Sequence, residues 1–323
     1  MVQAIVAHTD VDGIGAAALY LYLTGISEYR VFFTEPFLLH RALDKVASAY
    51  YEKVVILDLG INPSVYRDVL EYLSLLRKHN IDVSWYDHHL WANTWIHDLE
   101  SIGVKLYIDE STCTVGVVAN YTKPMRSSVD EDYVRELVDG ICAGDLWRFD
   151  HWLGPYYIRL VRRRDKDSWR RRVLNLFVSG RYWAPEFEEK VVEHVERELE
   201  VFSSTLNLVE KSINGLKIVV ASSSEKVENS FLAAYLLGRR SADMAILASG
   251  DGKLSFRSRG VNVREIALRL GGGGHVYASG AKISIPWWVK FFSRIHEKIL
   301  LNYISELVSR VLRQNLLAAD PRQ

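Results

Sequence analysis

The pattern of apolar and polar positions divides the chain into two textures joined by a long helical stretch. Over the first 150 residues, short apolar runs read as buried strands: 2–8 (VQAIVAH), 29–35 (YRVFFTE), 53–60 (KVVILDLG), 82–87 (DVSWYD) and 104–109 (VKLYID). Helical patterns lie between and after them, at 13–25, 38–50, 64–80, 114–122 and 129–145. In 64–80, Val65, Val69, Leu73 and Leu76 fall on one face. Strands spaced by helices predict an α/β fold whose N-terminal sheet is mostly parallel, with helices on both faces. From 186 to 212, Phe187, Val191, Val195, Leu199, Phe202, Leu206 and Val209 recur at three- and four-residue steps, which predicts a helical linker. Strands at 216–222, 243–249, 253–259 and 279–285 follow, with helices near 227–239 and 263–270 and one closing helix over 287–316. They predict a smaller α/β unit, giving domains 1–185, linker 186–212 and 213–323.

In open α/β sheets, ligands bind beyond the carboxyl ends of the strands. Metal-binding side chains collect there three times: His8, Asp10 and Asp12 after the first strand, Asp58 after VVIL, and Asp87, His88 and His89 after VSWY. A fourth segment, GDLW at 144–147, adds Asp145. Two divalent cations about 3.5–4 Å apart need roughly four oxygen or imidazole ligands each, with one carboxylate free to bridge. Carboxylate mixed with imidazole suits manganese better than structural zinc, which favours thiolates. Taken singly, Asp10 and Asp12 also read as caps of the following helix. A calcium loop starting at His8 would need an acid at Leu19, and GIG at 13–15 lacks the Lys and Ser/Thr of a P-loop.

HTDVDGIGAAA, VVILDLG, DHH and the downstream GD resemble, in order, the four motifs of the DHH phosphoesterase superfamily. GGGGHVYASGAKI at 271–283 resembles the signature of its DHH-associated C-terminal domain, so the resemblance spans roughly residues 4–285. The spacing His-x-Asp-x-Asp-Gly is closer to the RecJ-like, archaeal branch than to the nanoRNase branch. The resemblance implies a two-manganese phosphoesterase with its active site in the interdomain cleft, and Mg2+ or Co2+ as substitute ions. It implies that His8, Asp10 and Asp58 hold one metal, and Asp12, Asp58, His88 and Asp145 the other, with Asp58 bridging. Asp87 would orient a histidine, and His89 would face the phosphate or a neighbouring acid. Leu146 departs from the Thr that many members carry after the GD motif.

Four glycines before His275 offer backbone N–H groups to an anion. By resemblance, the loop of Gly272, Gly273, Gly274 and His275 grips the substrate's phosphate or terminal nucleotide. Arg257 and Arg259 alternate to one face of their strand, either as bidentate phosphate donors or as an exposed edge-strand charge pair. The run 158–172 carries Arg159, Arg162, Arg163, Arg164, Lys166, Arg170, Arg171 and Arg172, with aromatic residues interleaved. It reads either as a single-stranded nucleic-acid surface or as a solvated helix face. The closing helix has a broad apolar face, either docked on its own domain or forming a dimer or partner surface.

Lys+Arg and Asp+Glu are both 40 in 323 residues, so no global charge draws the chain to nucleic acid or membrane. The two cysteines, Cys113 and Cys142, read as small core residues, and no disulfide framework is expected. Acids in the first thirteen residues and the lack of a long apolar run predict no signal peptide, no membrane span and a cytoplasmic location. The composition carries a faint thermophilic signature. The expected function is a dimanganese exonuclease releasing nucleoside monophosphates from short oligonucleotides or single-strand ends. The alternatives are a phosphoesterase of small nucleotides (3′-phosphoadenosine type or cyclic dinucleotides) or of polyphosphate, and a RecJ-like replisome partner that binds replication proteins.

Overall fold

The computed structural model of the chain describes residues 2–162, 164–204, 206–213 and 215–317. The chain forms two units, Met1–Val191 and Val192–Gln323, each built on its own sheet.

In the first unit, β1 (Gln3–His8), β2 (Tyr29–Thr34), β3 (Lys53–Leu57), β4 (Asp82–Asp87) and β5 (Lys105–Ile108) are all parallel, in the order β2-β1-β3-β4-β5. Ala4–Ala7 and Val54–Leu57 are buried throughout, as strands covered on both faces must be. The chain lays β2 on one side of β1, then returns to lay β3 on the other. The connections leaving β1 and β3 therefore diverge, which opens a crevice at the carboxyl ends of those two strands. His8 ends β1 and Asp58 follows β3.

α1 (Val11–Thr24) is buried along almost its whole length and is apolar on all sides rather than amphipathic. α2 (Leu39–Ala47) and α3 (Tyr66–Lys78) cover one sheet face. Val69, Leu73 and Leu76 join Val54, Ile56, Val83 and Trp85 in one core there. α4 (Asn93–Ser101), α5 (Thr114–Tyr121), α6 (Glu131–Asp145), α7 (Gly154–Leu160) and α8 (Asp167–Val178) complete the unit. α9 (Pro185–Ser203) leads into the second unit.

The second sheet is mixed, in the order β10-β11-β9-β8-β7-β6, from β6 (Leu208–Ile213), β7 (Leu216–Ser222), β8 (Met244–Ala248), β9 (Lys253–Ser258), β10 (Gly273–Gly274) and β11 (Ala278–Lys282). Of its pairings only β7–β8 is parallel. α10 (Asn229–Arg239), α11 (Val263–Arg269), α12 (Trp287–Ser293) and α13 (Lys298–Leu317) pack around it. No described helix is long and apolar enough to cross a membrane.

Two sequence expectations need correction. The helical linker does not reach 212: α9 ends at Ser203, and 208–213 is a strand. The apolar residues Leu208, Val209 and Ile213 fit a hairpin as well as a helix, and Asn-Gly at 214–215 is a hairpin signal in the sequence. Ile213 pairs with Leu216 across it, and Gly215 has φ +81°. The closing helix also breaks in two, at 294–297. The break lets Val289 of α12 and Leu301 of α13 both reach full burial in one core.

α1 starts so close to β1 that a side chain at its third residue has no room. A Cβ on Gly13 would lie 2.7 Å from both the Cβ and the carbonyl oxygen of His8. Gly13→Ala is therefore expected to destabilise the first unit by about 1–3 kcal/mol, measured by thermal unfolding, and to weaken metal binding by displacing His8.

Candidate metal centre

Each strand end in the crevice supplies a donor, and each donor has a structural anchor. After β1, His8 Nδ1 lies 2.8 Å from Asp10 Oδ2 and 3.1 Å from Asp58 Oδ2. Asp10 Oδ1 accepts the Gly13 N–H at 3.1 Å and caps α1. The capping and metal readings of Asp10 thus fall on different oxygens and do not compete. The loop is also held from outside. The buried Arg170 guanidinium donates to the Thr9 carbonyl at 2.9 Å, and the Thr9 hydroxyl donates to Glu35 at 2.7 Å.

Asp12 is fully buried and caps a helix other than its own. Its Oδ2 accepts the Thr114 N–H at 2.8 Å, and its Oδ1 accepts the Val115 N–H at 2.9 Å. These are the first amides of α5, where the helix dipole favours a negative charge. The Thr114 hydroxyl then donates to Asp58 Oδ1 at 3.0 Å, tying the second strand end to the same helix terminus. Asp58 itself sits at φ +59°, a left-handed conformation uncommon for a non-glycine residue, while its N–H donates to the Tyr86 carbonyl at 3.0 Å.

At the end of β4 the three residues diverge. His88 Nε2 lies 3.5 Å from Asp145 Oδ2, 3.6 Å from Asp58 Oδ1 and 3.9 Å from Asp12 Oδ2. Asp87 is fully buried. It accepts the Trp91 indole N–H at 2.6 Å and bonds His89 Nδ1 at 2.8 Å. The histidine that Asp87 orients is therefore His89. Among the described residues, potential ligand atoms gather in three trios: His8, Asp10 and Asp58; Asp12, His88 and Asp145; and Asp58, His88 and His89.

Charge is crowded in this pocket. Burial pushes Asp58 and Asp145 well above the ordinary carboxylate range, and the neighbouring Asp10 and Asp12 charges push them further. His8 is also drawn well up: burial opposes its charge, but the Asp10 and Asp58 carboxylates prevail. His89 is pushed up to about 10, with burial again opposed and Asp87 prevailing. The pocket holds protons where cations would relieve the same crowding. That donor set and charge fit divalent metal ions.

The two cysteines are not separate core residues. Cys113 and Cys142 form a disulfide, with Cα atoms 5.1 Å apart and both residues buried. The bond joins the residue before α5 to α6, three residues ahead of Asp145. Separation by 29 residues in sequence hid the contact, which arises only when the two helices pack.

The other expected site residues lie in the second unit. Steric packing accounts for most of the glycine run. Gly271 has φ +75° just after α11, and Cβ atoms on Gly272 and Gly274 would meet β11 backbone at 2.0 and 2.7 Å. Gly273 alone of the four has open space and an ordinary φ. His275 opens the turn into β11, where its carbonyl accepts the Ser279 hydroxyl at 2.6 Å. Arg257 donates to Ser230 Oγ at 2.7 Å and stands opposite Ala278. Arg259 follows β9, with its N–H on the Asp243 carbonyl at 2.9 Å.

Much of the basic run is used internally. Arg162 and Arg170 are buried, Arg171 donates to the Val31 carbonyl at 3.0 Å, and Arg172 pairs with Glu186 at 2.7 Å. Arg163 lies outside the described residues. Thr114, Glu35 and Trp91 went unnoticed in the sequence because none stands in the acid and histidine motifs, and Arg170 was read only as part of the basic run.

Two measurements test this centre. Groups with raised pKa values stabilise the metal-free fold fully only at low pH, and that contribution fades as pH rises through the folded-state values. In chelator, the melting temperature should therefore fall from about pH 4 upward, near the unfolded carboxylate value. Metal must displace the same protons, so its stabilising effect should grow with pH. Melting curves from pH 5 to 8 with chelator or Mn2+ should diverge; parallel curves would refute the assignment. Separately, Cys113→Ser/Cys142→Ser protein should lose about 2–4 kcal/mol of stability by denaturant titration and bind Mn2+ more weakly in calorimetry.

The model for the DHH family N-terminal domain matches residues 3–144, and that for the DHHA1 domain matches residues 215–300. A curated relative, the bifunctional oligoribonuclease and PAP phosphatase NrnA of Mycoplasma pneumoniae, is 66% identical over 29 residues, which is 9% of each chain. Manganese-bound RecJ from Thermus thermophilus shares the fold at TM-score 0.62 and 14% identity, covering 97% of this chain and 52% of that one. The pGpG-specific phosphodiesterase PggH from Vibrio cholerae shares it at TM-score 0.54 and 16% identity, covering 95% and 99%. With its acid and histidine motifs in one crevice and both domain models matched in order, the chain belongs to the DHH phosphoesterase family and carries a DHHA1 domain.

Proposed function

We propose that this chain is a two-metal phosphodiesterase, with Mn2+ as its preferred ion, that cuts short oligonucleotides or single-strand ends to nucleoside monophosphates. The observation that carries this reading is the pair of trios, His8–Asp10–Asp58 and Asp12–His88–Asp145, joined through the 3.6 Å approach of Asp58 to His88. In it, His8 and Asp10 would hold one ion and Asp12, His88 and Asp145 the other, with Asp58 available to both. When bound, such a pair of ions would supply an activated water and charge neutralisation for a phosphoryl group.

The protein's own groups do the rest. The α5 amides fix Asp12, and the Thr114 hydroxyl fixes Asp58, so neither carboxylate must reorganise during a turnover. His89, held by Asp87 through Nδ1, would contact a phosphate oxygen with its other ring nitrogen. In the second unit, this reading assigns phosphate contacts to Gly273 and His275 of the glycine loop and to Arg257 and Arg259. The names of the short-substrate relatives support this reading: one is an oligoribonuclease, another acts on the dinucleotide pGpG.

Mn2+-supplemented protein should be assayed on dinucleotides, longer RNA and DNA, adenosine bisphosphate, cyclic dinucleotides and polyphosphate. Dinucleotides should turn over fastest. Asp58→Ala and His88→Ala should abolish turnover, whereas His89→Ala should lower kcat roughly 100- to 1,000-fold with metal content unchanged. Wild-type rates in both ligand variants would sink the proposal.

A further inference from the structure

Two side-chain rungs join the first turn of α10 to β9. Asn229 Nδ2 donates to Ser255 Oγ at 3.0 Å, and Arg257 Nη2 donates to Ser230 Oγ at 2.7 Å. Ser255 and Arg257 are two apart on β9 and so share a face. The first rung is neutral at both ends; the second ends on a cation.

That cation has no counter-charge. Arg257 is half-buried, and its other hydrogen bond, from Nη1 to the Phe256 carbonyl at 2.9 Å, also meets a neutral acceptor. No carboxylate pairs with it among the described residues, whereas Arg77, also half-buried, meets Asp82 at 2.9 Å. Burial pulls the pKa of Arg257 below its ordinary value, and no neighbouring acid pulls it back. A cation withdrawn from water in this way is destabilised until an anion meets it. Ser230 has capacity to match. A hydroxyl that accepts one hydrogen bond can still donate another, and the Ser230 O–H has no acceptor among the described residues. An anion that reaches this edge of the guanidinium meets the hydroxyl beside it.

We propose that Ser230 is a specificity-determining residue of the second unit: it holds the Arg257 guanidinium and, with it, binds a phosphate group of the substrate. The inference rests on the reading that gives Arg257 a phosphate contact. Asn229, on the neutral rung, fastens the same helix to the same strand and takes no part in binding.

The test is equilibrium binding of adenosine 5′-monophosphate and of adenosine to the full chain in chelator, so that no metal ion contributes. Wild-type, Ser230→Ala, Ser230→Thr, Asn229→Ala and Arg257→Ala protein are compared. Wild-type protein should prefer the phosphorylated ligand. Ser230→Ala should bind the monophosphate roughly 10- to 100-fold more weakly, the range of a hydrogen bond to a charged group, and adenosine as before. Ser230→Thr should recover most of the loss, and Asn229→Ala should keep wild-type affinity. Unchanged affinity in Ser230→Ala, an equal loss in Asn229→Ala, or no wild-type preference for the phosphorylated ligand would overturn the assignment. A loss in Arg257→Ala without one in Ser230→Ala keeps the phosphate reading of Arg257 and removes Ser230. Ser230-dependent binding without turnover of any phosphodiester in Mn2+ removes the hydrolase assignment and keeps Ser230.

Discussion

A fully buried carboxylate must be met by donors, and Asp12 is met by the first two amides of α5. That pair of hydrogen bonds places the N-terminus of α5 over the carboxyl end of β1. Much of the metal centre then follows. Thr114, first residue of the same helix, brings its hydroxyl to Asp58, and so joins the ends of β1 and β3. His88 comes in from the end of β4, and Asp145 from the last residue of α6. The acids are packed more closely than their charges favour, and only cations or protons reconcile them.

The sheet order sets where this happens. β1 sends its chain to β2 on one side, while β3 lies on the other, so the crevice forms at His8 and Asp58. Around it, anchoring is done by residues that bind no ion: Arg170 on the Thr9 carbonyl, Trp91 on Asp87, Gly13 by being small. Such supports decide whether a set of ligands holds its geometry.

The strands and the acid and histidine residues at their ends were legible because period and position both speak at short range. VVILD is at once a buried strand and a ligand at its end. Asp10 and Asp12 were ambiguous between cap and ligand, and the ambiguity was real: each carboxylate caps a helix and faces the crowded pocket. What stayed hidden depends on distant contacts. Thr114 meets Asp58 across 56 residues, and Cys113 meets Cys142 only after two helices pack. The basic run stayed open for the same reason, since nothing local tells a buried Arg170 from a solvated one. The strand at 208–213 was missed differently: its Asn-Gly signal was in plain view but was outweighed by a helical period carried over from α9.

The disulfide shifts an entropic burden in time. Free elements would have to be ordered by each arriving ion, and affinity would be lost to that ordering. With Cys113 and Cys142 joined, the start of α5 and the end of α6 are restrained before any ion arrives. Both residues are buried, so a reductant has no ready route to them in the finished fold. An ion that left would find α5 and α6 still cross-linked beside the place it vacated.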